Sequence, residues 1–230
     1  MRLDKFITAC TDYSRTQAKK IISKGDVTVD GVSIRDPSLK LSDQNEVSLL
    51  GRHILLPGAR YIMLHKPLAT VCTSINDDSR SVMGLLGVDN PEGLHIAGRL
   101  DIDTTGLVLI TDDGAWSHRI TSPKKICGKR YRVGLAGVLT EDAPAQFKQG
   151  IQLKDEVKLT RPAELEVLSS NEVLLTIHEG KYHQVKRMFA ALSNRVISLH
   201  REKVGSIQLD ETLEEGAWRF LTEAEINSVT

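Results

Sequence analysis

The sequence predicts an α+β protein in which a small N-terminal unit precedes a larger unit built on a mixed, mainly antiparallel sheet flanked by helices. Three observations support this fold class. Apolar runs typical of strands outnumber helical segments after residue 60. Strands and helices do not alternate regularly, as they would in a doubly wound sheet. The stretch 51–60, with glycine, proline and no clear period, separates the two parts as a linker would.

The N-terminal part predicts two short helices and a hairpin. Ser14 is a suitable N-cap for the second helix, and Gly25 is a suitable C-cap. Asp30-Gly31 interrupts alternating valines, which is a strong hairpin signal. The helices are expected at 3–10 and 14–24, the hairpin at 26–34, and a further strand at 46–51.

The second part predicts mostly strands. We expect strands at 61–66, 107–111, 131–137, 163–169, 172–180 and 196–205, and helices at 81–87, 114–122, 142–151, 183–192 and 222–229. The predicted domains are 1–56 and 61–230, the second with two subdomains that share a sheet, joined by a linker at 57–60.

Charge is balanced overall but segregated along the chain. The 230 residues carry 30 Lys and Arg against 30 Asp and Glu, so net charge does not indicate a nucleic-acid partner. Residues 1–24 nevertheless contain six basic residues and two acids, and residues 117–132 contain six basic residues and no acid. Such segments either bind phosphates or form ordinary solvated helix faces.

Cysteine use and hydropathy predict a soluble cytoplasmic protein. The three cysteines, Cys10, Cys72 and Cys127, are far apart and in no metal-binding spacing, which is typical of reduced thiols. The N-terminus lacks the apolar stretch of a signal peptide, and we find no apolar run of about 18 residues that could span a membrane.

The segment GRLDIDTTGLVLITDDG, 98–114, places acids on a loop before a buried strand. Asp101 and Asp103 could bind a metal, act as a carboxylate pair on a glycosidic bond, or cap a turn. The neighbours Thr104-Thr105-Gly106 favour turn structure for Asp103, and Asp113 also suits a turn. The residues alone leave these readings open for Asp101.

The N-terminal segment resembles S4 RNA-binding domains. The resemblance rests on Arg2-Leu3-Asp4, Ser14-Arg15, Ala18, Ile22, Gly25, Val27, Val29 and Asp30-Gly31. It implies that one basic surface binds RNA phosphates, with largely sequence-independent affinity. The implied RNA contacts are Arg2, Arg15, Lys19, Lys20 and Lys24.

The remaining motifs resemble those of pseudouridine synthases. The resemblance rests on the motifs GRLD with TTGL, LHKP, GKRYRV, EGKYHQVKRMFAAL and VISLHREKVG. The chain departs from the family pattern at His65, usually Asn, and at Ala69, usually Gly; Lys186 stands where many members have Arg. The resemblance implies that Asp101 is the catalytic acid, that Lys186 keeps it charged and oriented, and that Tyr131 stacks on the uracil and relays a proton. The implied substrate-binding residues are Arg99, Lys129, Leu199 and Arg187.

This resemblance implies an isomerase that needs neither cofactor nor metal. Its expected substrate is a uridine of 16S rRNA, uridine 516 by resemblance to the branch of the family that modifies the small ribosomal subunit. The rRNA would be naked or part of a partly assembled subunit, and the enzyme a monomer. The alternative is a catalytically inactive rRNA-binding or ribosome assembly factor. A metal-dependent nuclease would need a carboxylate cluster that the sequence does not present.

Overall fold

The computed structural model describes residues 1–42, 44–55, 58–73, 80–88, 91, 93–122 and 125–229. The chain divides into two compact units, Met1–Gly58 and Ala59–Thr230. Of the proposed linker 57–60, Pro57 lies outside the described residues, as does Leu56 at the end of the proposed first domain. None of the described helices has the length and apolar character needed to cross a membrane.

The first unit packs two helices on a small antiparallel sheet. Its elements are α1 (Leu3–Cys10), α2 (Arg15–Lys24), β1 (Val27–Val29), β2 (Val32–Ile34), β3 (Val47–Leu49) and β4 (Arg52–Ile54), with sheet order β2–β1–β3–β4. Ser14 and Gln17 form a capping box at the start of α2, and Gly25 ends the helix in the left-handed region. Leu3, Ile7 and Ile22 are fully buried in this unit's own core.

The strand β4 corrects the prediction that 51–60 is a linker throughout. Arg52–Ile54 pairs with β3 through a two-residue turn at Leu50 and Gly51. Both turn residues have positive φ, 49° and 76°, as a type I′ turn requires. The turn carries Leu-Gly and not the Asn-Gly or Asp-Gly that signals such a hairpin, and leucine rarely adopts a positive φ. The sequence therefore carries no sign of this hairpin.

The second unit is built on one mixed sheet. Its strands are β5 (Tyr61–Lys66), β6 (His95–Ile96), β7 (Thr105–Thr111), β8 (Lys129–Leu135), β9 (Glu164–Ser169), β10 (Glu172–Ile177), β11 (Val196–Val204), β12 (Ile207–Gln208) and β13 (Trp218–Phe220). The order is β13–β5–β7–β11–β8–β10–β9, with β6 on β7 and β12 on β11. Strands β7 and β11 run parallel, and the other described pairs are antiparallel. The predicted α+β class is confirmed.

The helices of this unit are α3 (Gly114–Thr121), α4 (Ala143–Gln149), α5 (Gln184–Ala191) and α6 (Glu223–Asn227). Strand β7 is buried on both faces of the sheet. Val108 and Ile110 join one apolar cluster, while Leu107 and Leu109 join a second cluster. A strand buried on both sides reads as a continuous apolar run, which is the pattern that predicted it.

The predicted helix at 81–87 is wrong. This segment forms successive turns, in which Gly84 N–H donates to Ser81 O at 3.1 Å and Leu86 N–H to Met83 O at 3.3 Å. Two glycines in seven residues weaken helix formation, and Gly87 adopts a positive φ of 54°. The apolar residues of the segment pack into the core from turns, without helical periodicity.

Gly106 lies where the backbone of β7 packs against Arg201 of β11. Its φ is +104°, and a Cβ at this position would collide with the backbone O and N of Arg201. We expect Gly106→Ala to lower the free energy of unfolding by about 2–4 kcal/mol. Urea unfolding followed by tryptophan fluorescence measures this, since both tryptophans, Trp116 and Trp218, belong to the second unit.

The matched control is Gly114→Ala. Gly114 begins α3, and a Cβ there would meet no atom within 4 Å. This variant should unfold within about 0.5 kcal/mol of the wild type. Equal stability of the two variants would show that the β7–β11 approach can relax.

Candidate active site

Lys66, the last residue of β5, donates hydrogen bonds to the backbone of the loop that precedes β7. This side chain is fully buried, and its Nζ donates to Thr104 O at 2.7 Å, Pro67 O at 3.0 Å and Ile102 O at 3.5 Å. Burial lowers the pKa of Lys66. The sequence marks Lys66 only as part of the motif LHKP; in the structure it is a buried amine that binds the backbone of the acidic loop.

A second support comes from the turn after Lys66. Ala69 N–H donates to Ile102 O at 2.9 Å, and Ala69 adopts a φ of 59°. That left-handed conformation favours glycine, the usual residue of the resembled family, so alanine adds strain of about 1 kcal/mol. The departure at His65 is placed elsewhere: its Nδ1 lies 2.7 Å from Leu213 O.

Arg201 holds the other side of the loop. It is 1% exposed on β11, and it donates from Nε to Leu107 O at 2.8 Å and from Nη2 to Gly98 O at 2.9 Å. Arg201 was not predicted from the sequence. The segment VISLHREKVG carries three other titratable residues, and nothing in its pattern marks which one is buried.

Helix α5 brings Lys186 to both acids of the loop. Its Nζ lies 3.1 Å from Asp101 Oδ2 and 2.5 Å from Asp103 Oδ1. Partial burial works to lower the pKa of Lys186, but its hydrogen bonds to Asp103 and Asp101 outweigh that effect and raise it. The same hydrogen bond holds the pKa of Asp103 below its usual range.

The pairing corrects the prediction that Asp103 serves mostly turn structure. Asp103 does lie in a turn, but it also shares Lys186 with Asp101. The Asp103 side chain is 62% exposed, against 32% for Asp101. Asp113 instead caps α3, accepting from Ala115 N–H and Trp116 N–H, so its structural role is as expected.

His183 also reaches Asp101 and was not predicted from the sequence. Its Nε2 lies 3.5 Å from Asp101 Oδ1, and its backbone adopts a left-handed φ of 46° just before α5. Its ring stacks on Tyr182 with centroids 3.8 Å apart. The family resemblance implied Lys186 as the basic partner of Asp101. It did not point to His183, whose left-handed backbone conformation has no local turn signal.

Tyr131 and Leu199 lie on the neighbouring strands β8 and β11, where Tyr131 pairs with Arg201 and Leu199 with Val133. Each is 7% exposed, and both belong to the apolar cluster that includes Leu100, the residue before Asp101. The structure therefore places Tyr131 and Leu199 in the same apolar cluster as Leu100, at the start of the acidic loop.

Three other predicted substrate contacts have different surroundings. Arg99 is exposed and has neither hydrogen bond nor ion pair within the described part of the chain. Lys129 donates to Cys127 O at 3.0 Å, and burial lowers its pKa. Arg187 donates to Lys154 O at 2.6 Å and Tyr182 O at 3.2 Å. These bonds give Lys129 and Arg187 structural roles, and their roles toward substrate stay predictions.

The basic face of the first unit lies on α2. Lys19, Lys20 and Lys24 are exposed and line a shallow groove with Thr16 and Ser23. Arg2 and Arg15 instead approach the buried carboxylate of Asp4, at 2.8 and 3.5 Å. The hydrogen bond from Arg2 holds the pKa of Asp4 below its usual range. The three lysines therefore offer the least engaged positive charge among the predicted RNA contacts.

In the second basic segment, 117–132, Pro123 and Lys124 lie outside the described residues. Arg130 and Arg132 pair with Glu202 at 3.2 and 2.7 Å, so acids elsewhere in the fold offset part of the segment's charge.

Known protein families match both parts of the chain. The RNA pseudouridylate synthase family matches residues 60–191, and the S4 domain matches residues 1–47. The chain belongs to the RNA pseudouridylate synthase family. A solved pseudouridylate synthase structure superposes with a TM-score of 0.73 at 46% identity, covering 100% of both chains.

Two relatives of this synthase are similar along their whole length. Ribosomal small subunit pseudouridine synthase A of Vibrio cholerae is 55% identical over 100% of this chain and 99% of its own. The protein of the same name from Escherichia coli K12 is 50% identical over 100% of both chains. The suspected family and the N-terminal S4 domain are thus confirmed.

The contact of Lys186 with two carboxylates predicts that it matters for turnover more than for RNA affinity. Lys186→Met keeps the aliphatic stem but removes the cation that Asp101 and Asp103 share. We expect the single-turnover rate of isomerisation to fall at least about tenfold and RNA affinity to stay within about threefold.

Lys186→Arg is the matched control because it keeps the charge and can still donate to both acids. It should retain most of the rate. A Lys186→Met protein that lost only affinity would identify Lys186 as a phosphate contact.

Proposed function

We propose that the protein converts a uridine of small-subunit rRNA to pseudouridine, with Asp101 as the catalytic carboxylate. One observation carries the assignment: Lys186 lies 3.1 Å from Asp101, on a loop whose backbone carbonyls accept hydrogen bonds from the buried Lys66 and Arg201. The residue before Asp101, Leu100, belongs to the cluster that contains Tyr131 and Leu199. Relatives at 50–55% identity along the whole chain, named for the small ribosomal subunit, support the choice of rRNA.

The reaction needs little besides a positioned carboxylate. The C1′–N1 bond breaks, the uracil turns, and a C1′–C5 bond forms; C5 loses a proton and N1 gains one, so the product is an isomer. Asp101 acts either as a nucleophile or as a base toward the sugar or uracil. Its side chain is 32% exposed, so substrate can reach it. The chemistry consumes no redox equivalent and no donor group, and we propose that it runs without a cofactor.

The target nucleotide must leave its stack before it meets Asp101. Tyr131 then stacks on the extruded uracil, and Leu199 of the same apolar cluster lines the space that the uracil enters. We propose that Arg99, exposed two residues before Asp101, holds the RNA backbone open. We propose 16S rRNA as the substrate, naked or in a partly assembled subunit, with uridine 516 as the target, and a cytoplasmic monomer as the active form.

We expect Asp101→Asn to abolish turnover and to leave RNA affinity within about threefold. Asparagine is nearly isosteric and still accepts a hydrogen bond from Lys186, but it is neither nucleophile nor base. The measurement is single-turnover isomerisation of 16S rRNA, read as pseudouridine formed, with protein mass verified to exclude deamidation.

Asp103→Asn is the matched control, because it makes the same chemical change to the other carboxylate that shares Lys186. It should lower the rate by less than about tenfold. Isomerisation by a verified Asp101→Asn protein would overturn the assignment, and a wild-type protein that binds rRNA without modifying it would favour an assembly factor.

The groove on α2 predicts a salt-dependent share of RNA binding. Replacing Lys19, Lys20 and Lys24 together by glutamine removes three exposed cations, and we expect the log–log slope of affinity against salt to become shallower by about two to three units. The measurement is RNA affinity over a salt series. Turnover at saturating RNA should persist, since the predicted catalytic residues lie in the second unit.

The same three lysines replaced by arginine provide the control, because charge is kept while the side chains change. The arginine variant should retain the wild-type slope. An unchanged slope in the glutamine variant would move the main RNA surface away from α2.

A further inference from the structure

Tyr182 is an exposed aromatic residue beside the catalytic loop. Tyr182 is 77% exposed, whereas Tyr131 is 7% exposed. One exposed aromatic ring needs no explanation by itself. Its position does, because the ring stacks on His183 at 3.8 Å with an interplanar angle of 22°, and His183 Nε2 lies 3.5 Å from Asp101 Oδ1.

We propose that Tyr182 is a stacking platform for the unpaired RNA base next to the target uridine. The inference rests on the proposed function and adds a specificity-determining residue to it. One face of the Tyr182 ring is covered by the His183 ring, and the high exposure of the residue leaves the other open to solvent. A base stacked there would lie one aromatic ring beyond His183, the neighbour of the catalytic carboxylate.

The segment that carries Tyr182 is held in place before RNA arrives. His183 adopts a left-handed φ of 46°, which a non-glycine residue maintains only when its surroundings fix it. Arg187 donates to Tyr182 O at 3.2 Å, and Lys181 N–H donates to Gln184 Oε1 at 2.9 Å. An ordered platform loses little conformational freedom when a base stacks on it.

The charges around Tyr182 favour a base over a phosphate as its partner. Lys181 pairs with Glu156 at 2.6 Å, and Arg187 lies 3.4 Å from the same carboxylate. Lys186 is engaged with Asp101 and Asp103. The cations of this segment are therefore matched by acids, whereas the open aromatic face suits stacking, which is the usual way proteins hold single-stranded bases.

The chemistry of the reaction supplies such a base. When the target uridine leaves its stack for the pocket, each neighbouring base loses one stacking partner. An aromatic ring outside the pocket can replace that partner and hold the RNA in register. The buried Tyr131 is not available for this, because it forms part of the core cluster.

The test compares wild type, Tyr182→Ala and Tyr182→Phe on a small-subunit rRNA fragment. Stacking on one base predicts that Tyr182→Ala raises the half-saturating RNA concentration about tenfold, while the single-turnover rate at saturation stays within about threefold. Tyr182→Phe keeps the ring and should match wild type within about twofold. Phe220→Ala, at a 54% exposed aromatic residue on β13, is the control and should also match wild type.

An abasic nucleotide on either side of the target identifies the partner. For one of the two sides, wild type should lose about tenfold in affinity, and Tyr182→Ala should lose nothing further. Equal losses in both proteins would overturn the inference, as would wild-type affinity in Tyr182→Ala. Failure of wild type to isomerise the fragment would sink the proposed function instead, and the affinity comparison by fluorescence anisotropy would still decide the role of Tyr182.

Discussion

Two buried cations, Lys66 and Arg201, fix the loop on which the candidate chemistry depends. Their hydrogen-bond partners in the structure are backbone carbonyls: Lys66 binds those of Ile102 and Thr104, and Arg201 binds those of Gly98 and Leu107. A buried charge is costly unless every donor is satisfied, so these contacts strongly disfavour movement of the loop. The carbonyls are consumed by this arrangement, while the carboxylates of Asp101 and Asp103 stay directed toward Lys186. The loop is thus anchored through its backbone, and the side chains of Asp101 and Asp103 are left free of these anchoring contacts.

This anchoring explains why motifs far apart in the chain converge. β5 supplies Lys66, β11 supplies Arg201 and α5 supplies Lys186, and each contacts a different part of the segment 98–107. The close approach at Gly106 is part of the same device, because the Arg201 backbone lies against β7 while its side chain reaches past it. A side chain at 106 would separate the strands and withdraw the guanidinium from its two carbonyls. Preorganisation of this kind is what a carboxylate needs when reaction geometry must be held before substrate binds.

The sequence was informative where one local pattern decided the structure. α2 matched its prediction because Ser14 and Gly25 cap its two ends, and β5 matched because its apolar run is typical of a strand. Prediction failed where tertiary contacts overrode local signals. The turns at 81–87 keep apolar side chains in the core without helical spacing, and β4 follows a turn that uses a leucine at positive φ. In the site, Asp101 and Lys186 came from motif resemblance, but the burial of Arg201 and the reach of His183 depend on strand register and a left-handed residue, which no local pattern encodes.

The two tyrosines near the site illustrate how burial divides tasks between chemically identical groups. Tyr131 is buried in the core cluster, and in the proposed function its ring meets only the base that has been extruded. Tyr182 stands outside on a braced segment, so it can meet RNA before the target base is extruded. An enzyme that removes a base from its stack needs both surfaces, because the extruded base and the RNA left behind each lose stacking partners. Asp101 is intermediate in exposure, and in the proposed function the substrate reaches its carboxylate while the contact with Lys186 fixes its orientation.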